Sequence, residues 1–129
     1  MKKEIVFTEK GPKFKELNLP FSQATAFGDL VFVSGQVSFD AQKEQLVKGG
    51  FEEQVRLTLN NLKVILEGAG SSLEDVLKVT VFLTDMKNFG KLNEIYREYF
   101  RGNFPARSCV QVAALAEGLL VEIECIACR

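Results

Sequence analysis

The stretch FEEQVRLTLNNLKVILEGAGSSLEDVLKVTVFLT, residues 51 to 84, changes its hydrophobic period partway along. In its first part Phe51, Val55, Leu59, Leu62, Leu66 and Ala69 recur at intervals of three and four, which describes one face of an amphipathic helix. Gly68 or Gly70 closes that helix. The second part, VLKVTVFLT (76–84), is rich in β-branched residues and alternates with period two, as a strand does. Alternation puts Leu77, Val79, Val81 and Leu83 on one face, with Val76 and Phe82 on the other. A helix running straight into an apolar strand marks a mixed α+β chain.

Working outward, KEIVFT (3–8) reads as a first short strand. FSQATAF (21–27) and LVFVSGQV (30–37) flank Gly28 and Asp29, two strands joined by a tight turn. Ser38 to Gly50 is polar and glycine-containing, a surface loop. Beyond residue 84, Asp85 precedes a second helix with apolar Phe89, Leu92, Tyr96 and Tyr99, ending near Gly102. RSCVQVAA (107–114) and LLVEIECIA (119–127) supply the last two strands. The order is therefore βββαβαββ, one domain over residues 1–129. It predicts a mixed sheet of about six strands with two helices on one face. Because strand 76–84 is apolar on its other face as well, that face is expected to be covered by copies of the same chain. The alternative is a partly exposed antiparallel face.

Composition narrows the chemistry. The 129 residues are 47% hydrophobic and 26% charged, with 16 basic residues against 17 acidic ones and a net charge of −1. No global field recruits a polyanion, so nucleic acid is disfavoured as the main partner. No apolar run has the length of a membrane span. MKKEIVFTEKGPKFKE at the amino terminus lacks the apolar core of a signal peptide, so the cytoplasm is the expected location. Three cysteines in such a setting read as free thiols. There is no histidine, so Ser-His-Asp and Cys-His nucleophile systems are excluded and the commonest transition-metal ligand is missing. Catalysis would have to run on carboxylates, arginine, thiols, hydroxyls, backbone groups and water.

The stretch NFPARSCVQVAAL (103–115) holds the candidate site, because Arg107 stands where a buried strand usually has valine or isoleucine. A permanently charged planar donor is costly in an apolar strand unless an anion meets it. Strand alternation puts Arg107, Cys109 and Gln111 on one face. If Leu115 to Gly118 form a tight connection, residue 114 pairs with 119. Gln111 then falls opposite Glu122 and Cys109 opposite Glu124, so all the polar groups share one face. Pro105 and the small residues beside Arg107 leave room for a carboxylate ligand, which arginine grips with two parallel hydrogen bonds. An Arg-Glu ion pair on a solvated face is the plainer alternative. Cys125 and Cys128 have C-x-x-C spacing, but a separation of three turns strand thiols to opposite faces, so no metal site is read there. Arg107 could lower the Cys109 pKa, but without a histidine a packing or backbone role is favoured. Ser34 and Gly35 end a strand in a bend, and Tyr96 and Tyr99 read as core.

NFPARSCVQV followed by VEIECIA resembles the carboxy-terminal signature of the RidA/YjgF family of small imine deaminases. LPFSQAT (19–25) is similar to that family's G-P-Y-S-Q-A segment, LVFVSGQV to its strand ending in S-G-Q, and NEIYREYF (93–100) to its N-x-x-Y-x-x-F-F helix. The resemblance spans almost the whole chain. It implies a chorismate mutase-like fold and a homotrimer with a site in each inter-subunit cleft. It also implies hydrolysis of 2-imino or enamino acids, such as 2-iminobutanoate and 2-iminopropanoate, to 2-keto acids and ammonia without a cofactor. Carried over, Arg107 would clamp the substrate carboxylate and Glu122 would position or deprotonate water. The backbone at Cys109 and at Gly35, beside Ser34, would line the pocket, and Asn93 matches an asparagine of the same site. Phe21 stands where the family commonly has tyrosine, so the aromatic wall is kept and its hydroxyl lost. Leu19 stands where glycine is frequent. Two other readings stay open: a non-catalytic module that binds small keto acids, and the endoribonuclease or translation-inhibitor role attributed to some relatives.

Overall fold

In the computed structural model, which describes residues 1–129, two loop residues suffice to reverse the chain between β2 (Ala24–Phe27) and β3 (Leu30–Gln36). Phe27 pairs with Leu30, and Gly28 takes φ +59° in the loop, a conformation that costs glycine no steric penalty. β1 (Glu4–Val6) adds to the free edge of β2. The loop expected at 38–50 contains a miniature hairpin, β4 (Phe39–Asp40) and β5 (Gln45–Leu46). Polar side chains tie it down: Asn61 Nδ2 donates to the Val37 and Phe39 carbonyls, and Ser38 Oγ to the Val47 carbonyl. Its turn residue Glu44 accepts from the backbone N–H of Lys13 and Lys15, at 2.9 and 3.0 Å.

Helix α1 (Phe51–Gly68) buries Val55, Leu59, Leu62 and Leu66 of the stripe its spacing predicts, together with Ile65, and Gly70 beyond its end has φ +81°. β6 (Val76–Leu83) follows, then α2 (Phe89–Tyr99), β7 (Ala106–Gln111) and β8 (Val121–Cys128). On α2 the buried residues are Leu92, Ile95 and Tyr96, whereas Phe89 stays 37% exposed. The six-stranded sheet runs β1-β2-β3-β8-β6-β7, with both helices against one face and the core between. The expected α+β order is present. No helix is long and apolar enough to cross a membrane.

Two details differ from the sequence reading. The last two strands do not form a hairpin: β6 lies between them, antiparallel to β8 and parallel to β7. β6, which buries Val79, Val81 and Leu83, takes an interior position, while β7, with Arg107, Ser108 and Gln111, takes the edge where unpaired groups meet solvent. Residues 112–120 cross the end of β6 to reach β8, with Val112 N–H donating to Leu83 O and Thr84 N–H to Leu120 O. Cys109 therefore pairs with Val81 rather than Glu124, and Gln111 with Leu83 rather than Glu122. Second, the register with β8 slips between Val76 and Lys78, so Val76 turns inward and Leu77 is left 48% exposed.

The sheet face away from the helices is mixed: Lys78, Thr80, Ser108, Glu122 and Glu124 share it with exposed apolar side chains. Phe32, 41% exposed, lies in register with Ile126, and Phe82 beside Val110, 45% exposed.

Candidate functional site

The β6 register decides where the polar side chains go. Arg107 is level with Val79, a buried core residue, whereas Glu122 is level with Phe82 on the opposite face. The sequence reading placed Arg107 and Glu122 on one face. The structure puts them on two, because an inserted strand replaced the direct pairing on which that reading depended.

On the helix side, Arg107 sits half-buried at the sheet edge beneath α2. Its guanidinium lies 4.7 Å from the Tyr96 ring centroid and 5.5 Å from that of Phe89, and Nη2 donates to Asn93 Oδ1 at 2.9 Å. Phe89, Asn93 and Tyr96 recur on one face of α2, so one helix supplies both the aromatic faces and the amide that orient the cation. No carboxylate of the chain forms an ion pair with it. A cavity of about 250 Å³ opens there, lined by Asn93, Tyr96, Arg97, Phe104, Pro105 and Arg107. Cys109 packs against the core beside this cavity. Burial pushes its thiol up despite the opposing influence of Arg107, so it is no activated nucleophile. Burial likewise raises Tyr96 to about 12, and its hydroxyl has no partner.

On the other side, Glu122 opens into a cavity of about 630 Å³ shared with Phe21, Ser34, Gly35 and Glu124. A β-bulge shapes the floor. Val33 pairs with Cys125 and Gln36 with Ile123, so Ser34 and Gly35 together oppose Glu124 alone. Gly35 is there for closeness: a Cβ at this position would meet the Glu122 carboxylate, with Cδ at 2.8 Å. Ser34 Oγ donates to the Ser22 carbonyl at 2.6 Å and Ser34 N–H to the Gln23 carbonyl, which anchors the segment carrying Phe21. Burial, and then the charge of Glu124, raise the Glu122 carboxyl above the ordinary glutamate range.

The apolar wall of this cavity was only partly foreseen. Phe21, 55% exposed, is joined by Phe14, Leu17 and Leu19. Phe14 holds φ +50°, unusual for a bulky residue, with its ring 4.2 Å from Phe39 and 6.4 Å from Phe21. Glu44 grips the backbone on either side of it. Nothing local in the sequence pairs Glu44 with a segment some thirty residues earlier. The helical spacing of Phe89, Asn93 and Tyr96, by contrast, was a readable sign that these residues share a face.

A family profile described as endoribonuclease L-PSP matches residues 14–129. A RutC family protein from Pyrococcus abyssi is 47% identical over 127 residues, covering 98% of both chains. A mouse protein named 2-iminobutanoate/2-iminopropanoate deaminase is 45% identical over 125 residues, covering 97% of this chain and 90% of its own. The crystal structure of a Yersinia pestis protein of unknown function from the conserved Rid family superposes with a TM-score of 0.93 at 38% identity, covering 99% of this chain and 100% of that one. The chain belongs to the RidA/YjgF family, the group of small proteins that also carries the names RutC and endoribonuclease L-PSP.

Proposed function

We propose that this chain hydrolyses 2-imino and 2-enamino acids, such as 2-iminobutanoate and 2-iminopropanoate, to 2-keto acids and ammonia, in clefts between the subunits of a homotrimer. One observation carries the reading: an oriented arginine without a counter-ion and a carboxylate of raised pKa face out from opposite sides of one sheet. A four-carbon substrate cannot touch both in a single copy. A second copy, packed on the outer face that exposes Phe32 and Val110, could bring its Glu122 to the first copy's Arg107. The name of the mouse relative supports the same activity.

In this arrangement Arg107 grips the substrate carboxylate through its free N–H groups, with Asn93 and the Tyr96 ring fixing the guanidinium. Glu122 takes a proton from water as the oxygen attacks the imine carbon. It returns that proton to nitrogen to give a carbinolamine, then carries the proton of the new hydroxyl to the same nitrogen, so that the C–N bond breaks, ammonia leaves and the carbonyl forms. A carboxyl raised toward neutrality suits both transfers. An imine already hydrolyses in water unaided, so orientation plus one proton carrier meets the demand. Ser34, Gly35, Phe21 and the Cys109 backbone form the surrounding walls.

The test is keto-acid or ammonia release from freshly generated 2-iminobutanoate, with Arg107→Ala as control. Wild-type rates no faster than buffer overturn the proposal. Phe21, which presents a ring without a hydroxyl to the cavity, keeps a second reading in view: saturable keto-acid binding with no turnover would make the protein a carboxylate-binding module.

A further inference from the structure

We propose that Arg97 makes the Arg107 cavity selective for dianions, so that the preferred substrates are 2-imino dicarboxylic acids. This rests on the imine-hydrolase reading above and adds the substrate class to it.

Arg97 and Arg107 line the same cavity of about 250 Å³, and no acidic side chain lines it with them. Arg97 follows Asn93 by one helical turn, and Asn93 is the residue that accepts from Arg107, so both cations border the same cavity along α2. Neither guanidinium belongs to an ion pair. The surrounding charges on α2 are already matched. Lys91 holds Glu94 at 3.0 Å, and Arg56 holds Glu98 at 3.0 Å, leaving Arg97 without a carboxylate.

A monocarboxylate on Arg107 neutralises one of these two charges and leaves the other unmatched beside it. A second carboxylate at the far end of a short chain would neutralise both. Phe104 and Pro105 supply an apolar wall for the methylenes between. Because Arg97 is exposed, its pull is that of a rim charge, a factor of several and not of thousands.

The test compares kcat/KM for 2-iminoglutarate and 2-iminobutanoate, each generated in place by an amino-acid oxidase with catalase present. The wild type should favour the diacid roughly 2- to 5-fold. Arg97→Gln should bring the ratio close to one, and about 0.5 M salt should shrink it in the wild type. Equal rates in the wild type, or a ratio that Arg97→Gln leaves unmoved, overturn the inference while the imine-hydrolase reading stands. Binding of 2-oxoglutarate against 2-oxobutanoate reads the same preference without turnover. A protein that hydrolyses neither imine sinks the parent reading, and equal affinities for the two keto acids then also overturn this one.

Discussion

Arg107 and Glu122 project from opposite faces of one sheet, in register with Val79 and Phe82, which are three residues apart on β6. If each cleft takes one group from each of two copies, two inactive variants should repair each other. Arg107→Ala and Glu122→Gln chains, unfolded together and reassembled, should regain activity that neither has alone. Random exchange leaves about a quarter of the clefts with both groups intact. Mixtures that stay as inactive as their parents would place the whole site in one chain.

The outer face tests the assembly itself. Phe32→Asp puts a charge among Ile126 and its neighbours without touching the helix-side core. Light scattering should report a smaller particle, and imine hydrolysis should fall with it. A trimer that persists with full activity would show that another surface holds the copies together.

Gly35 lies outside the positive-φ region, so alanine there meets no backbone strain and its effect is purely steric. The added methyl must displace the Glu122 carboxylate, whose Cγ would lie at 3.1 Å. Gly35→Ala should therefore lower kcat about tenfold or more while costing about 1 kcal/mol of stability, as measured by denaturant unfolding. An unchanged kcat would free Glu122 from its proposed role.

The raised pKa of Glu122 couples activity to stability. Burial is the larger cause and Glu124 the smaller. Between the ordinary glutamate value and the raised one, the folded chain holds a proton that the unfolded chain has lost. Stability contributed by this group therefore falls as pH rises through that window and stays lower above it. Glu122→Gln should raise Tm at pH 7 and flatten its pH dependence there, while hydrolysis drops about 100-fold. Glu124→Gln should move the acid limb of kcat/KM to lower pH. A limb that does not move would remove Glu124 from the electrostatics of the site.

Glu44 reaches the cavity only through backbone. Its carboxylate is held below the ordinary range: burial works against this, but the N–H groups of Lys13 and Lys15 prevail. Glu44→Ala releases the segment around Phe14 and should raise KM several-fold with kcat nearly kept, since the wall loosens and Glu122 does not move. A loss confined to kcat would contradict that placement.

Much of this was legible in the sequence, for local reasons. The period of α1 and the Gly28 turn belong to neighbouring residues, and the structure keeps them. The family signature marked Arg107 and Glu122, and both open into cavities. Their relative placement was not legible, because alternation gives the face of a strand only once its neighbours are known. The slot that β6 occupies between β7 and β8 is a long-range choice. The same limit hid Leu77, turned outward by a bulge, and Glu44, whose partners are distant in sequence.

The bulge at Ser34 and Gly35 also changes which residues of β3 and the segment after it count as interior. Before it the odd-numbered Val31 and Val33 are buried; after it the even-numbered Gln36 and Ser38 are. Deleting a single residue there would restore an unbroken ladder with Gln36 and Ser38 still interior, but would remove the extra residue that lets Ser34 and Gly35 together form the floor beneath Glu122. Chain length at this point is thus as tightly fixed as residue identity, and descendants of this sequence should vary in length almost anywhere else first.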